Sequence, residues 1–298
     1  MRNADSVKAR LKQLATAENK PFDYLMTHYF VERLLYRLSV SDYTDNFILK
    51  GGLLLYTILE NDARATRDVD FLANRLNNAP EELVRVFRAI CAIPADDAVR
   101  FDLESIAAER LKEGADYEGV RVKAAGYLDK SRQVLQFDVG FGDVVVPKPV
   151  TMEYPSLLDM ERPRIQAYSR ESVIAEKFEA MIALAEVNSR MKDFYDVYTL
   201  SRMFDFEGLV LYEAVRQTLE RRATPLAAAP AVFTDAFAGA QDKQIQWQAF
   251  QKRIRVAADI ALPEALVRIR TFLRPVYLAV LSENEWMKRW RAANGQWE

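Results

Sequence analysis

The stretch Asp68-Val69-Asp70-Phe71-Leu72 alternates acid with hydrocarbon. In an extended chain both carboxylates leave one face, while Val69 and Phe71 enter the core from the other. Two carboxylates so close repel, and a divalent cation relieves the repulsion; oxygen ligands with retained water suit Mg2+ or Mn2+. Alone, the pair is also what a solvated strand end would show. A second strand, Val134-Leu135-Gln136-Phe137-Asp138-Val139-Gly140-Phe141, sharpens the case, because Asp138 is the one charge in its middle and strands disfavour aspartate. If the two strands are neighbours, Asp68, Asp70 and Asp138 converge on one sheet face. Such a set suits metal ions that clamp the attacking and leaving oxygens of a phosphoryl displacement. Upstream, Lys50-Gly51-Gly52 separates a short apolar run from a helical stretch. Glycines there let the backbone approach a ligand, the helix N-terminus offers N–H groups to a phosphate, and Lys50 adds a positive charge. A tight strand-to-helix turn would use the same residues.

Two later charges break their own helical pattern. Between Glu171 and Ile182, Lys177 falls on the apolar stripe of Val173, Ile174 and Met181, whereas Glu176 and Glu179 take other faces. Between Ser189 and Leu200, Asp193 stacks over Val197 and Leu200 and also turns inward. An inward lysine is either snorkelling or paired with an anion. Lys177 and Asp193 therefore read as a buried ion pair or as phosphate and base contacts of an active site, and helical spacing does not choose between these.

Composition removes several alternatives. One cysteine (Cys91) and one histidine (His28) among 298 residues exclude disulfide scaffolds and Cys/His zinc sites. The chemistry falls to Asp, Glu, Lys, Arg, Ser, Thr or Tyr. At 50% hydrophobic and 28% charged residues the chain is of globular type. It shows no apolar run of about 20 residues and no secretory leader after Met1, so it reads as a cytoplasmic protein with no membrane partner. A net charge of −2 announces no nucleic acid. From residue 211 onward, however, thirteen Lys and Arg stand against nine Asp and Glu, and all four tryptophans lie there. A basic, aromatic tail is compatible with holding a polyanion, and equally with a helical tail bearing solvated charges.

The elements that must position these residues follow from periodicity. Helices are expected from Ser6 as cap and over Phe22 to Leu38, the second leaving His28 structural or merely exposed. A strand over Phe47 to Leu49, a helix over Leu53 to Leu59, the strand 68–72 and an amphipathic helix over 80–92 come next. Strands over 99–106 and 119–126, with a turn near Gly114 and Asp116, precede the strand 134–141. Four prolines between Pro147 and Pro163 suggest a linker. Helices then run over 171–186, 189–202 and 207–221, and on to about 291. The fold class is α+β: a mixed sheet with flanking helices over 1–160, then an all-α lobe over 161–298.

In this order and spacing, Y-F-V-E-R-L-L-Y-R-L-S, F-I-L-K-G-G, R-A-T-R-D-V-D-F, L-Q-F-D-V-G-F-G-D, Y-P-S-L-L-D, V-I-A-E-K-F-E-A and N-S-R-M-K-D-F-Y-D-V carry a resemblance over roughly residues 5–200. The chain resembles the AbiEii/AbiGii nucleotidyltransferase-like toxins, the toxin halves of type IV toxin–antitoxin and abortive-infection systems. The resemblance implies a DNA polymerase β-like nucleotidyltransferase lobe followed by a helical lobe. Gly51 and Gly52 match its phosphate-cradling turn, Asp68 and Asp70 its metal-binding pair, and Asp138 its third carboxylate. Lys177 matches the catalytic lysine of the A-E-K motif and Asp193 the acid of R-x-K-D. Arg64, Arg190 and Lys192 fall in the same motifs and, with Lys50, are expected against nucleotide phosphates. One departure is Gly52, where the superfamily often has serine, so a hydroxyl contact to phosphate is missing.

What the resemblance implies is a toxin that transfers nucleotides from an NTP with Mg2+ or Mn2+. Asp68, Asp70 and Asp138 would hold the metal, Asp138 alternatively serving as general base. Lys177 would neutralise the leaving group, and the helical lobe would bring Lys177 and Asp193 to the site. The implied acceptor is the 3′ end of tRNA, blocked so that translation stops, with RNA seated on the tryptophan-bearing tail. A cognate antitoxin is implied too. The alternatives are a nucleotidyltransferase or kinase acting on a protein or small-molecule acceptor, and a nucleotide-binding module without catalysis. The complete set of charges argues against the last, because unpaired buried charges cost stability and drift would remove them.

Overall fold

Asn3, rather than Ser6, caps the first helix, α1 (Ala4–Ala17): its side chain accepts the Asp5 N–H at 2.9 Å. A computed structural model of the protein describes residues 3–59, 66, 68–113, 117–254 and 260–298. The chain divides into two units, one formed by Met1–Thr57, Thr66–Gly142 and Val150–Ala167, the other by Ile58–Ala65, Asp143–Pro149 and Tyr168–Glu298. Among the described residues no helix is long and apolar enough to cross a membrane.

The first unit continues with α2 (Phe22–Ser39), β1 (Phe47–Lys50), α3 (Gly51–Leu59), β2 (Val69–Ala73), α4 (Pro80–Cys91), β3 (Val99–Glu113), β4 (Tyr117–Leu128), β5 (Ser131–Phe141), β6 (Val150–Glu153) and β7 (Arg164–Ala167). Seven strands form one mixed sheet in the order β3-β4-β5-β2-β1-β7-β6. β2 runs parallel to β5 and antiparallel to β1, which runs parallel to β7. One face is aromatic. Phe71 lies between Phe47 and Phe137, and both of these meet Phe87 of α4, with ring centroids 5.1–6.4 Å apart. Leu83, Val86, Phe87 and Ile90 recur at helical spacing and are all buried. Each such ring contributes about 2 kcal/mol by burial. A one-residue slip would turn the whole set outward, so this face fixes the register of β1, β2 and β5. By fixing it, the aromatic face also dictates which polar residues stand side by side on the opposite face.

The hairpin β3–β4 extends well beyond the expected strands, and Gly114 and Asp116, expected near its turn, lie outside the described residues. The expected linker between Pro147 and Pro163 carries two strands instead. β6 pairs antiparallel with β7 at the sheet edge, where proline beside a strand is tolerated. The Y-P-S-L-L-D motif between them anchors α2. Buried Glu32 accepts the Ser156 hydroxyl and the Leu157 N–H, each at 2.9 Å. Burial raises the Glu32 carboxyl, and Arg33 at 2.5 Å with the two donors only partly offsets that. On the same helix Arg37 holds Asp97 through two bonds of 2.6 and 3.1 Å.

The second unit contains α5 (Arg170–Leu184), α6 (Met191–Met203), β8 (Phe206–Glu207), α7 (Gly208–Arg221), α8 (Asp235–Gly239), α9 (Gln241–Ile254), α10 (Leu262–Leu281), β9 (Arg289–Arg291) and β10 (Gln296–Trp297). Apart from the two residues of β8, its named elements up to Leu281 are helices. After that the chain turns back at Gly295 (φ +69°), and β9 pairs with both β8 and β10. Trp286 and Trp290, four apart, mimic a helical stripe in sequence, but Trp290 is fully buried against Phe272. Of the four tryptophans expected as a stacking surface for RNA, Trp247 and Trp290 are core residues and Trp286 and Trp297 are half-buried. Trp247, Trp290 and Trp297 donate their indole N–H to the carbonyls of Ile260, Ser201 and Phe272.

Candidate active site

On the sheet face opposite the aromatic cluster, four charged residues form a row across four strands. Lys50 of β1 is the register partner of Asp70 of β2, Asp70 of Asp138 of β5, and Asp138 of Arg121 of β4. Neighbouring strands lie about 4.8 Å apart, so Asp70 and Asp138 are adjacent. Like charges directly opposite one another destabilise a sheet. Nothing in the packing requires two aspartates there, and the flanking Lys50 and Arg121 supply the compensating charges. Arg121 grips Asp138 with both arms of its fork, Nε to Oδ1 and Nη2 to Oδ2, each at 2.8 Å. Asp68, just ahead of β2, is exposed and lies within electrostatic reach of the same guanidinium. Asp138 foremost, then Glu109 and Asp68, hold Arg121 in its charged form against the opposing effect of burial.

Gly51 ends the Lys50 strand and opens α3 with φ +68°, a left-handed conformation natural to glycine. A Cβ built there would lie 2.0 Å from Oδ2 of Asp70. The missing side chain is therefore the space in which the Asp70 carboxylate rests, and Gly52 follows in the first turn of the helix. Gly51→Ala is expected to cost about 1–3 kcal/mol of stability through backbone strain. It should also lower by about 10²-fold any activity that depends on the placement of the Asp70 carboxylate, since displacing a reacting group by an ångström costs about that much. Denaturant melts and steady-state kinetics on the same preparation check both. Of the two expectations for His28, structural or merely exposed, the first holds: buried between Tyr24 and Tyr56, its Nε2–H donates to the Thr66 carbonyl at 3.0 Å. It thereby pins the chain two residues before Asp68.

The donor set suits a hard divalent ion. Among the described residues no three His, Cys, Asp or Glu side chains gather as a complete metal cage. Mg2+ commonly needs only one or two carboxylates, the rest of its shell being water and substrate phosphate. Asp68 and Asp70 answer that description, Gly51 leaves room for the second, and Asp138 stands beside it with both oxygens engaged by Arg121.

The second unit holds its own charged centre. Lys177 of α5 reaches Oδ1 of Asp193 at 2.8 Å and Oδ2 of Asp196 at 2.7 Å, both on α6, and all three are buried. Arg190 places Nε 2.8 Å from the other Asp193 oxygen, out of hydrogen-bond alignment. Burial pushes the Asp193 carboxyl up, but Lys177 and Arg190 beside it outweigh burial and hold it below the usual range. Lys192, next along α6, adds to the same field. The two glutamates flanking Lys177 turn elsewhere. Glu176, Glu179 and Asp143 converge on Arg222 at 2.8–3.1 Å, tying the segment after β5 to α5. Arg64 lies outside the described residues. Cys91 is no nucleophile, since burial pushes its thiol up to about 12.

Two members of these centres were not foreseen. Arg121 sits in Val120-Arg121-Val122-Lys123, which reads as the solvated face of an ordinary strand; only the register reveals its partner. Asp196 follows Asp193 by three residues, a spacing that places both on neighbouring turns of one face, so its signal was present.

A family model described as "Nucleotidyl transferase AbiEii toxin, Type IV TA system" matches residues 33–268. Among solved structures, one assigned as a nucleotidyltransferase from H. pylori is 15% identical, with 89% of this chain and 99% of that chain covered and a TM-score of 0.49. JHP933 from Helicobacter pylori is 14% identical, with 78% and 94% covered and a TM-score of 0.41. No curated protein matches the chain significantly. With most of its length accounted for by that one model, the chain belongs to the AbiEii nucleotidyltransferase toxin family of type IV toxin–antitoxin systems.

Proposed function

We propose that this nucleotidyltransferase transfers a nucleotide from an NTP to the 3′ end of tRNA, blocking translation, and that the row Lys50–Asp70–Asp138–Arg121 is the centre of its active site. The observation that carries this reading is the register of Asp70 against Asp138. Two like charges are set side by side at a cost to the sheet, which a ligand-binding role explains and packing does not. Asp68 and Asp70 would hold Mg2+ or Mn2+, which when bound draws charge from the triphosphate oxygens. Lys50 and the Gly51-Gly52 turn at the start of α3 bind phosphate through charge and backbone N–H groups. Asp138 receives the proton of the attacking hydroxyl as the new P–O bond forms and pyrophosphate leaves. Lys177 neutralises the leaving group, Asp193 orients Lys177, and Arg64, Arg190 and Lys192 bind phosphates. Membership of a type IV toxin–antitoxin family also implies a cognate antitoxin. With Trp247 and Trp290 buried in the core and the Trp297 indole N–H already bound to a carbonyl, RNA contacts fall to Lys and Arg on the phosphates.

Incubating the protein with total tRNA, Mg2+ and each α-labelled NTP in turn tests this. Label is expected on tRNA for one or a few NTPs. Transfer at limiting tRNA should weaken at least about tenfold between 50 and 200 mM salt, as phosphate contacts release counterions. Label on a protein or small molecule, with little salt dependence, would replace the tRNA reading.

A further inference from the structure

Arg121 has a register neighbour on each side, Glu109 on β3 and Asp138 on β5. It gives both arms of its fork to Asp138, while Glu109 is taken by Lys123 at 2.9 Å. The pair is not needed to hold the sheet, because β4 and β5 are already in continuous register from Gly119↔Gly140 to Leu128↔Ser131. Ion pairs at this exposure (31% for Arg121, 24% for Asp138) contribute little to stability. What the guanidinium does change is charge. Lys50 and Arg121 balance Asp70 and Asp138, leaving Asp68 as the one net negative charge of the set. A nearly neutral row has little hold on a free cation, and Asp138, with both oxygens bound to Arg121, cannot offer them to one.

We propose that Arg121 is a positioning residue that stands in for the cation at Asp138 and so makes cation binding depend on the arrival of nucleotide. The polyphosphate of an NTP brings negative charge and oxygen ligands of its own, enough to bring a divalent ion in with it. Without nucleotide, the guanidinium keeps the two register-paired carboxylates from repelling one another and leaves the site unattractive to metal. This inference rests on the metal-binding reading of Asp68 and Asp70, and its test separates the two.

The experiment titrates Mn2+ into the full-length protein and follows free Mn2+ by electron paramagnetic resonance, with and without a non-hydrolysable NTP analogue. The variants are Arg121→Met, Arg121→Lys and Asp70→Asn. Wild type is expected to bind Mn2+ weakly alone and much more tightly with the analogue, and Asp70→Asn to lose that binding. Arg121→Met bares Asp138 and keeps the aliphatic stem. It should bind Mn2+ without nucleotide about tenfold more tightly than wild type, the effect of one unit charge on a divalent ion across a few ångströms of partly wet surface. Arg121→Lys keeps the charge without the two-armed grip and should fall between them. Equal nucleotide-free Mn2+ affinity in wild type and Arg121→Met, with Asp70-dependent binding intact in the presence of the analogue, overturns the role of Arg121 alone. If wild type takes up no Mn2+ under either condition, or Asp70→Asn binds as wild type does, the metal reading falls and this inference with it.

Discussion

Asp70→Asn is expected to lose about 10³-fold or more in nucleotide transfer, while its unfolding free energy stays within about 1 kcal/mol of wild type. The first figure reflects loss of a charge-stabilising ligand worth several kcal/mol to the transition state. The second reflects where the residue stands. Asparagine keeps the volume against Gly51 and removes one of two like charges facing each other in register; the relief offsets whatever attraction is lost to Lys50. A structural aspartate behaves in the opposite way, its removal costing stability and leaving activity near normal in the molecules that fold. Steady-state transfer assays and urea melts on one preparation separate these outcomes.

Lys177 shows both kinds of effect, and a double variant separates them. Replacing it with methionine leaves Asp193 and Asp196 facing each other with side chains only 2% and 0% exposed. Removing one partner of a buried ion set costs about 3–5 kcal/mol, because the remaining charges are stranded in a poor solvent. Lys177→Met is therefore expected to lower stability by that order and to abolish transfer. Adding Asp196→Asn should recover a good part of the stability without restoring transfer. Recovery of transfer along with stability would make Lys177 a structural residue only. Acid supplies an independent check. The Asp193 carboxyl is held below its ordinary value by Lys177 and Arg190 despite burial. Its contribution is present at neutral pH and is lost as pH falls below about 4 through that depressed value. In Lys177→Met much of that depression disappears, so urea midpoints of wild type and variant should converge between pH 6 and pH 3.

The chemistry of the site was more legible in the sequence than its geometry. Alternation of acid and hydrocarbon marks Asp68, Asp70 and Asp138, and the buried partners Val69, Phe71, Phe137 and Val139 confirm the alternation. Helical spacing marks Lys177 and Asp193 as inward, and both are buried. What neither period contains is the pairing of one strand with another. That β2 lies beside β5 in parallel, with Asp70 opposite Asp138, is decided by the aromatic face beneath them, through contacts between residues far apart in the chain. Arg121 was invisible for the same reason. The proline-rich stretch misleads because proline is read as a breaker, whereas at a sheet edge it only limits strand length. The C-terminal tail misleads because Trp286 and Trp290 keep helical spacing while Asn294-Gly295 supplies the turn that folds the chain back.

If the carboxylate row does the chemistry proposed for it, it directs an α-phosphoryl transfer onto a ribose hydroxyl at the end of an RNA. The most direct measurement compares α-labelled and γ-labelled NTP on tRNA with an intact 3′ terminus and on the same tRNA after periodate oxidation of that terminus, with wild type and Asp70→Asn in parallel. The expected result is label from the α-position only, on intact tRNA only, and with wild type only. Label from the γ-position, equal labelling of oxidised tRNA, or full labelling by Asp70→Asn would contradict it.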